Sequence, residues 1–202
     1  MKLYFSPGAC SLSPHITLRE SGLPFELVMA STKTHKLKDG SDYYSINPLG
    51  YVPLLEMDDG QRLREGPAIV QYVADKVPGK ALAPANGTLA RYRLQEWLTF
   101  IGTEIHKTFS PLFNPATPEQ TKTMNKEKLA GRLAWVDGQL AGNDYLMGKT
   151  FSVADGYLFT VTRWADFVAL DISGLPNLKA FMARVEARPA VQEALRAEGL
   201  LK

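Results

Sequence analysis

The chain has a single cysteine, Cys10, and it is the residue with the widest chemical range. It lies in Ser6-Pro7-Gly8-Ala9-Cys10-Ser11-Leu12-Ser13-Pro14-His15, where a short apolar run stops and a helical pattern begins. A thiol at or just before a helix N-terminus meets unpaired amides and the positive end of the macrodipole. Both favour an anion and draw the thiol below its free pKa of roughly 8.5. The placement therefore predicts a thiolate, or a bound thiolate, at neutral pH. His106 is followed by Lys107, and three- and four-residue spacing puts Thr103, His106 and Lys107 on one helical face. Glu65-Gly66-Pro67 sets a carboxylate at a helix start, which an ordinary helix also favours without any ligand. His15, His35 and His106 are too scattered for a metal-ligand spacing, so no metal is expected. His15, one turn into the first helix, reads as structural.

These residues need elements to hold them. Lys2-Leu3-Tyr4-Phe5 has the content of a short buried strand, stopped by Pro7-Gly8. Leu12, Ile16 and Leu18, with Gly22 and Pro24 as stops, predict a helix of about three turns, and Pro14 is tolerated in its first turn. Phe25–Met29 is a second strand, making a parallel pair with a crossover helix. The polar residues 31–47 read as a mobile surface connection with at most a short helix near Asp42-Tyr43-Tyr44. Pro53 precedes the apolar Leu54-Leu55 at a strand start or turn, where a cis bond is one option. Asp58-Asp59-Gly60 turns the chain into an antiparallel return, Gln61–Arg64. Ile69, Val70, Val73 and Val77 then share one face of a helix that begins at Gly66.

Residues 78–88 are rich in breakers and read as a linker. Beyond it the strand signals vanish. Thr88 can cap a long helix running to Pro111, and Thr117-Pro118-Glu119-Gln120 spells a capping box for another that runs to Gly142. Ser152-Val153-Ala154-Asp155 spells a second, and further helices begin near Pro176 and Pro189. The fold class is thus α/β plus all-α. A thioredoxin-like domain with a mixed four-stranded sheet occupies residues 1–80, and an all-helical domain occupies residues 88–202.

Composition narrows the function. The 202 residues carry 23 basic and 21 acidic side chains, interspersed, for a net charge of +2, so no phosphate-seeking stripe points to nucleic acid. No window approaches 18 uninterrupted apolar residues and the N-terminus lacks a signal pattern, which predicts a soluble, cytoplasmic protein without membrane association. With 45% hydrophobic residues the chain can fill two cores.

Over its whole length the sequence resembles the bacterial beta-class glutathione transferases. The residues that carry the likeness are Tyr4 to Ser11 with Cys10, Val52-Pro53, Glu65-Gly66, Glu104-Ile105-His106-Lys107 and Ser152-Val153-Ala154-Asp155. The resemblance implies a homodimer that binds glutathione as co-substrate, with no other cofactor, and adds its sulfur to a small apolar electrophile held by the helical domain, for detoxification or catabolism. Cys10 would lie against the glutathione sulfur and form a mixed disulfide, which Ser13, standing where a second cysteine could resolve it, cannot break. Val52 would exchange backbone hydrogen bonds with the cysteinyl part, with Pro53 in cis to aim them. Glu65 and the Gly66 amide would hold the γ-glutamyl ammonium and carboxylate. Thr99, Thr103, Glu104 and His106 resemble the contact set of the long helix, with Glu104 reaching the neighbouring subunit's ligand. His106 and Lys107 would join Cys10 at the thiol.

Two positions depart from the family pattern. His35 stands where lysine often meets the glycyl carboxylate, making that contact weaker and pH-dependent or passing it to Lys33 or Lys36. Thr99 replaces a common asparagine and loses an amide's paired donor and acceptor. Three functions stay open on the sequence. They are conjugation, thiol-disulfide exchange or peroxide reduction through Cys10, and non-catalytic carriage of a ligand or partner by a dimer of the same fold.

Overall fold

The structure is a computed structural model that describes Met1–Leu201. Strand β1 (Lys2–Phe5) leads through helix α1 (Leu12–Ser21) to β2 (Glu26–Met29), and after a long connection β3 (Leu54–Glu56), β4 (Arg62–Arg64) and α2 (Gly66–Asp75) follow. The sheet order is β2-β1-β3-β4, with β1 parallel to β2 and antiparallel to β3, and β3 antiparallel to β4. This is the thioredoxin-like mixed sheet that the residue pattern predicts. Side chains alternate across it. Leu3 and Leu55 pack with Leu18, Ile69 and Val73 on one face, while Tyr4 and Leu54 pack with Ala30, Tyr43 and Val52 on the other. Burial of both faces explains why Leu3-Tyr4-Phe5 reads as a continuous apolar run rather than an alternating one.

The connection between β2 and β3 is not the mobile segment predicted from its polarity. Tyr43, in a 3-10 turn over Tyr43–Ser45, is fully buried, and its hydroxyl donates to the Tyr51 carbonyl at 2.9 Å. The Asn47 side chain, also buried, donates to the same carbonyl at 2.7 Å and accepts from Arg64 Nε at 3.0 Å. Two buried side chains thus tie a polar segment down, a feature that hydrophobic periodicity does not register.

The helical unit spans Pro84–Ala187. Helix α3 (Leu89–Phe100) starts at Thr88, whose hydroxyl accepts from the Arg91 amide at 3.2 Å. The predicted single helix to Pro111 is in fact α3, a π-helical segment (Ile101–His106), α4 (Lys107–Phe109) and a 3-10 turn (Ser110–Phe113). Helix α5 (Glu119–Gln139) starts after Pro118, and no side chain caps it; the Thr117 capping box is not formed, and Thr117 instead turns its amide to the Asn114 carbonyl at 3.1 Å. Every residue of α6 (Val153–Thr162) is buried. Asp155 anchors its start, accepting from the Ser152 amide at 2.7 Å, the Ser152 hydroxyl at 2.9 Å and the Leu146 amide at 2.8 Å. Helices α7 (Trp164–Phe167) and α8 (Pro176–Glu186) complete the unit.

The last helix, α9 (Pro189–Ala197), belongs elsewhere. The compact unit built on the sheet comprises Met1–Ala83 together with the described residues from Arg188 onward, so the predicted helical domain of 88–202 gives up its final segment. The reason is α1, which is buried along Leu12–Leu18, polar residues included, and needs cover on more than one side. Arg188 fixes the return with two bonds to the Glu20 carboxylate, at 2.6 and 3.0 Å.

Candidate functional site

Cys10 stands two residues ahead of α1, in a loop closed by Ser11. The Ser11 hydroxyl accepts from the Ser6 amide at 3.1 Å and donates to the Ser6 carbonyl at 3.2 Å. Gly8, at φ +71°, turns its amide to Glu198 Oε2 at 2.9 Å. The other oxygen of Glu198 meets His15 Nδ1 at 2.8 Å, and both side chains are fully buried. Arg19 Nε donates to His15 Nε2 at 3.4 Å, which leaves Nδ1 as the protonated nitrogen that donates to Glu198. His15 is therefore structural, as its position suggests. Glu198 is a functional support that sequence reasoning missed, because a glutamate near a polar C-terminal end carries no mark of burial.

The Cys10 sulfur donates to the Val52 carbonyl at 3.2 Å, across the turn that enters the cis Val52–Pro53 bond. Burial pushes this thiol up to about 12, the charge of Glu65 adds to the rise, and the amides of Cys10 and Ser11 oppose it without prevailing. This runs against the thiolate expected from the helix start: Cys10 is partly buried, and desolvation there opposes the dipole and favours the neutral, hydrogen-bond-donating thiol.

Glu65 immediately precedes α2, and its carbonyl accepts the first helical amides, from Ala68 and Ile69, both at 3.0 Å. Its φ of +66° lies in the left-handed region, which costs a side-chain-bearing residue about 1–3 kcal/mol and which surrounding structure must enforce. The side chain is exposed. A Cβ added at Gly66 would lie 4.0 Å from the Pro53 ring, so the helix start adjoins the Val52–Pro53 turn. Cys10, Val52, Pro53, Glu65 and Gly66 therefore form one cluster on the sheet unit.

His35 is tied to this cluster through the backbone. It too has a positive φ, +52°, and its Nδ1 donates to the Gly50 carbonyl at 3.2 Å, with its ring 4.6 Å from that of Tyr44. With Nδ1 committed, only Nε2 remains to meet a ligand, and it donates there only when the ring is an imidazolium. Lys33 and Lys36 are exposed nearby in the chain.

On the helical unit the predicted residues lie along consecutive segments, Thr99 on α3, Thr103, Glu104 and His106 on the π segment and Lys107 on α4. Along the π segment the Lys107 amide bonds the Gly102 carbonyl, five residues back. Thr99, Thr103 and Lys107 are exposed, and the Thr103 hydroxyl returns to the Thr99 carbonyl at 3.0 Å. Glu104 pairs within its own chain, with Arg132 Nε at 2.8 Å and Lys128 Nζ at 3.3 Å, and these bonds hold its carboxyl below the usual range.

His106 is half-buried. Its Nδ1 lies 2.7 Å from the Tyr157 hydroxyl and its ring stands edge-on to Trp164 at 4.9 Å. Burial, with the charge of Lys107 adding, lowers its pKa to about 4, so it is neutral at pH 7. Phe109 and Phe113 also meet Trp164 edge-on, at 5.8 and 5.6 Å. In the sequence Tyr157 and Trp164 lie in an apolar stretch after Asp155 that periodicity assigns to the core, although two aromatics with polar atoms in that stretch are a signal of a kind.

Among the described residues, no group of three or more His, Cys, Asp or Glu side chains could hold a metal ion, and no helix is long and apolar enough to cross a membrane.

Comparison with known proteins agrees with this architecture. Residues 8–76 match the model of the glutathione S-transferase N-terminal domain, and residues 100–189 that of the glutathione S-transferase C-terminal domain. The chain is 49% identical to glutathione S-transferase GstA of Escherichia coli O157:H7, over 99% of its own length and all of the relative's. It superposes on a sphingomonad glutathione S-transferase complexed with glutathione with a TM-score of 0.95, at 48% identity, covering 99% of this chain and 100% of that one. A beta-class glutathione S-transferase from Sphingomonas chungbukensis gives a TM-score of 0.96 at 46% identity, with both chains fully covered.

Proposed function

Because the chain belongs to the glutathione S-transferase family, and within it to the bacterial beta class, we infer how its residues perform the family's reaction. The protein is an enzyme that conjugates glutathione, its co-substrate, to electrophiles. The glutathione sulfur, as thiolate, forms a bond to an electrophilic carbon while the leaving group departs with its electron pair, so catalysis consists largely of favouring that thiolate and aligning two reactants.

The cluster on the sheet unit supports the assignment of parts. Val52 offers its backbone to the cysteinyl residue, Glu65 takes the γ-glutamyl ammonium, the Gly66 amide at the start of α2 takes the carboxylate, and Cys10 faces the sulfur. Pro53 follows Val52 and shapes the turn. His35, or Lys33 or Lys36 beside it, receives the glycyl carboxylate. From the helical unit, Thr99, Thr103, Glu104, His106 and Lys107 complete the set, with His106 and Lys107 acting near the thiol. Glu104 reaches a neighbouring subunit's ligand only by leaving Arg132 and Lys128.

The observation that carries this reading is the contact of the Cys10 sulfur with the Val52 carbonyl at 3.2 Å, beside Glu65. A neutral Cys10 also favours conjugation over thiol-disulfide exchange, because exchange needs a thiolate at Cys10 and conjugation needs one only on glutathione. The electrophile is a small apolar compound, the working unit a homodimer, and the compartment the cytoplasm. Exposed Leu89 and Tyr92 on α3 give a second copy an apolar surface to cover.

Calorimetry with glutathione and steady-state rates with an aryl chloride test the reading together. Binding with turnover is the expected result. Binding without turnover of any electrophile favours a carrier, and absence of heat removes the site. Cys10→Ala should bind glutathione as the wild type does, and treatment with glutathione disulfide should add a glutathionyl group to the wild type only slowly and to Cys10→Ala not at all.

A further inference from the structure

The established chemistry leaves the contact between His106 and Tyr157 without a role. Tyr157 comes from α6, the wholly buried helix, and its side chain is 4% exposed. Its hydroxyl lies 2.7 Å from His106 Nδ1, and a Cβ added at Gly102 would come within 3.6 Å of the same oxygen. Gly102 and His106, four residues apart in the π segment, both adjoin this one phenol oxygen. The imidazole is enclosed on a second side by Trp164, edge-on at 4.9 Å. Tyr157 and Trp164 together restrict how the ring can turn.

A neutral imidazole carries one proton, and the bond made by one nitrogen decides which nitrogen carries it. A phenol O–H is a stronger donor than an imidazole N–H, and an unprotonated imidazole nitrogen is a stronger acceptor than a phenol oxygen. The separation of 2.7 Å suits an O–H···N bond.

We propose that Tyr157 is a positioning residue that donates to His106 Nδ1, fixes the imidazole as its Nε2–H tautomer, and so makes His106 a hydrogen-bond donor to substrate rather than a base. This rests on the assignment of His106 to the thiol chemistry given above. Burial and the neighbouring Lys107 keep the ring neutral at working pH, so the tautomer and not the charge is what Tyr157 controls. A donor at Nε2 steadies a thiolate or the charge that develops on an electrophile, a role distinct from that of a base, which would itself take up the thiol proton.

Nitrogen-15 NMR of the full-length protein reads the tautomer directly. The chain has three histidines, and His106→Gln identifies the signals of interest. The wild type should show Nε2–H with an unprotonated, hydrogen-bonded Nδ1. Tyr157→Phe keeps the ring and loses the donor; its His106 should populate Nδ1–H, and kcat should fall about five- to tenfold with KM for glutathione within about twofold. His106→Gln can place an amide N–H where Nε2 stood, so it should retain more activity than His106→Ala, and adding Tyr157→Phe to it should cost nothing further. An Nδ1–H tautomer in the wild type, an unchanged tautomer in Tyr157→Phe, or an equal loss in the His106→Gln background overturns the proposal. Full activity in His106→Ala overturns instead the placement of His106 in the reaction, and the proposal with it, even where the spectra show the Nε2–H form.

Discussion

The thiol of Cys10 and the carbonyl of Val52 are joined by a 3.2 Å hydrogen bond in which the sulfur is the donor, a bond that favours the protonated cysteine. Loss of the proton would cost this bond and bring a second negative charge near Glu65.

Alkylation measures this state. With its pKa near 12, Cys10 is ionised at pH 8 to the extent of about one part in ten thousand. Iodoacetamide should modify it orders of magnitude more slowly than it modifies free glutathione, and Glu65→Gln should speed the reaction. Intact mass against time gives both rates; modification as fast as a free thiol would show that the dipole prevails after all. The sign for stability follows. A thiol raised from about 9 to about 12 by folding favours the fold fully below pH 9 and loses that contribution as pH rises towards 12, a loss that Cys10→Ala should lack.

His106 gives the opposite sign. Its folded pKa of about 4 lies below the ordinary 6.5, so the neutral ring favours the fold above pH 6.5 and the contribution disappears as pH falls towards 4. Urea midpoints across that window should fall more for the wild type than for His106→Gln. The conjugation rate between pH 5.5 and 7.5 should have the same shape in both proteins, because the titrating group there is the glutathione thiol and not His106. A step in the wild-type profile alone would refute this.

Removal of Glu198 should loosen the cysteine loop. Glu198→Ala takes the acceptor from the Gly8 amide and from a fully buried His15, at a cost of about 3 kcal/mol. Denaturation should show the loss. Hydrogen exchange at Gly8 and at the amides that follow it should accelerate beyond the global change, and an unaltered loop would assign Glu198 to the C-terminal segment alone.

Gly50→Ala tests His35 without touching it. An added Cβ would fall 2.7 Å from His35 Nδ1 and from Tyr44 Cε1, at a φ of +66° that alanine rarely adopts. The histidine must move, and KM for glutathione should rise severalfold with kcat little changed. A KM equal to the wild type's would remove His35 from the glycyl end.

Asp155 and Ser152 govern folding alone. Ser152→Ala should cost about 1 kcal/mol, and Asp155→Ala, which strands three donors, about 2–3 kcal/mol. Burial raises the Asp155 carboxyl to about 6, so protonation favours the fold below pH 4 and the benefit is lost as pH rises through 6; wild type minus Asp155→Asn stability should decline over that range. Glutathione affinity measured on the folded variants should not change.

Much of the architecture was legible because it is written locally. The apolar run Leu3–Phe5, the helical spacing of Ile69, Val70 and Val73, the Asp58-Asp59-Gly60 turn and the Thr88 cap each depend on neighbours a few residues away, and each is present in the structure. The long helix after residue 88 was legible only as a helix: nothing in Ile101–His106 spells a π turn, and the segment packs against α5 and α6, contacts that no local pattern encodes.

The sequence by itself determined which residue types were available for chemistry and, through periodicity and caps, the elements that carry them. Tertiary structure decided their protonation and partners. Cys10 finds its acceptor 42 residues away, His106 its phenol 51 residues away and Gly8 its carboxylate 190 residues away. A pKa is set by how completely water is removed and which charges remain close, and both depend on contacts between segments that no local pattern encodes.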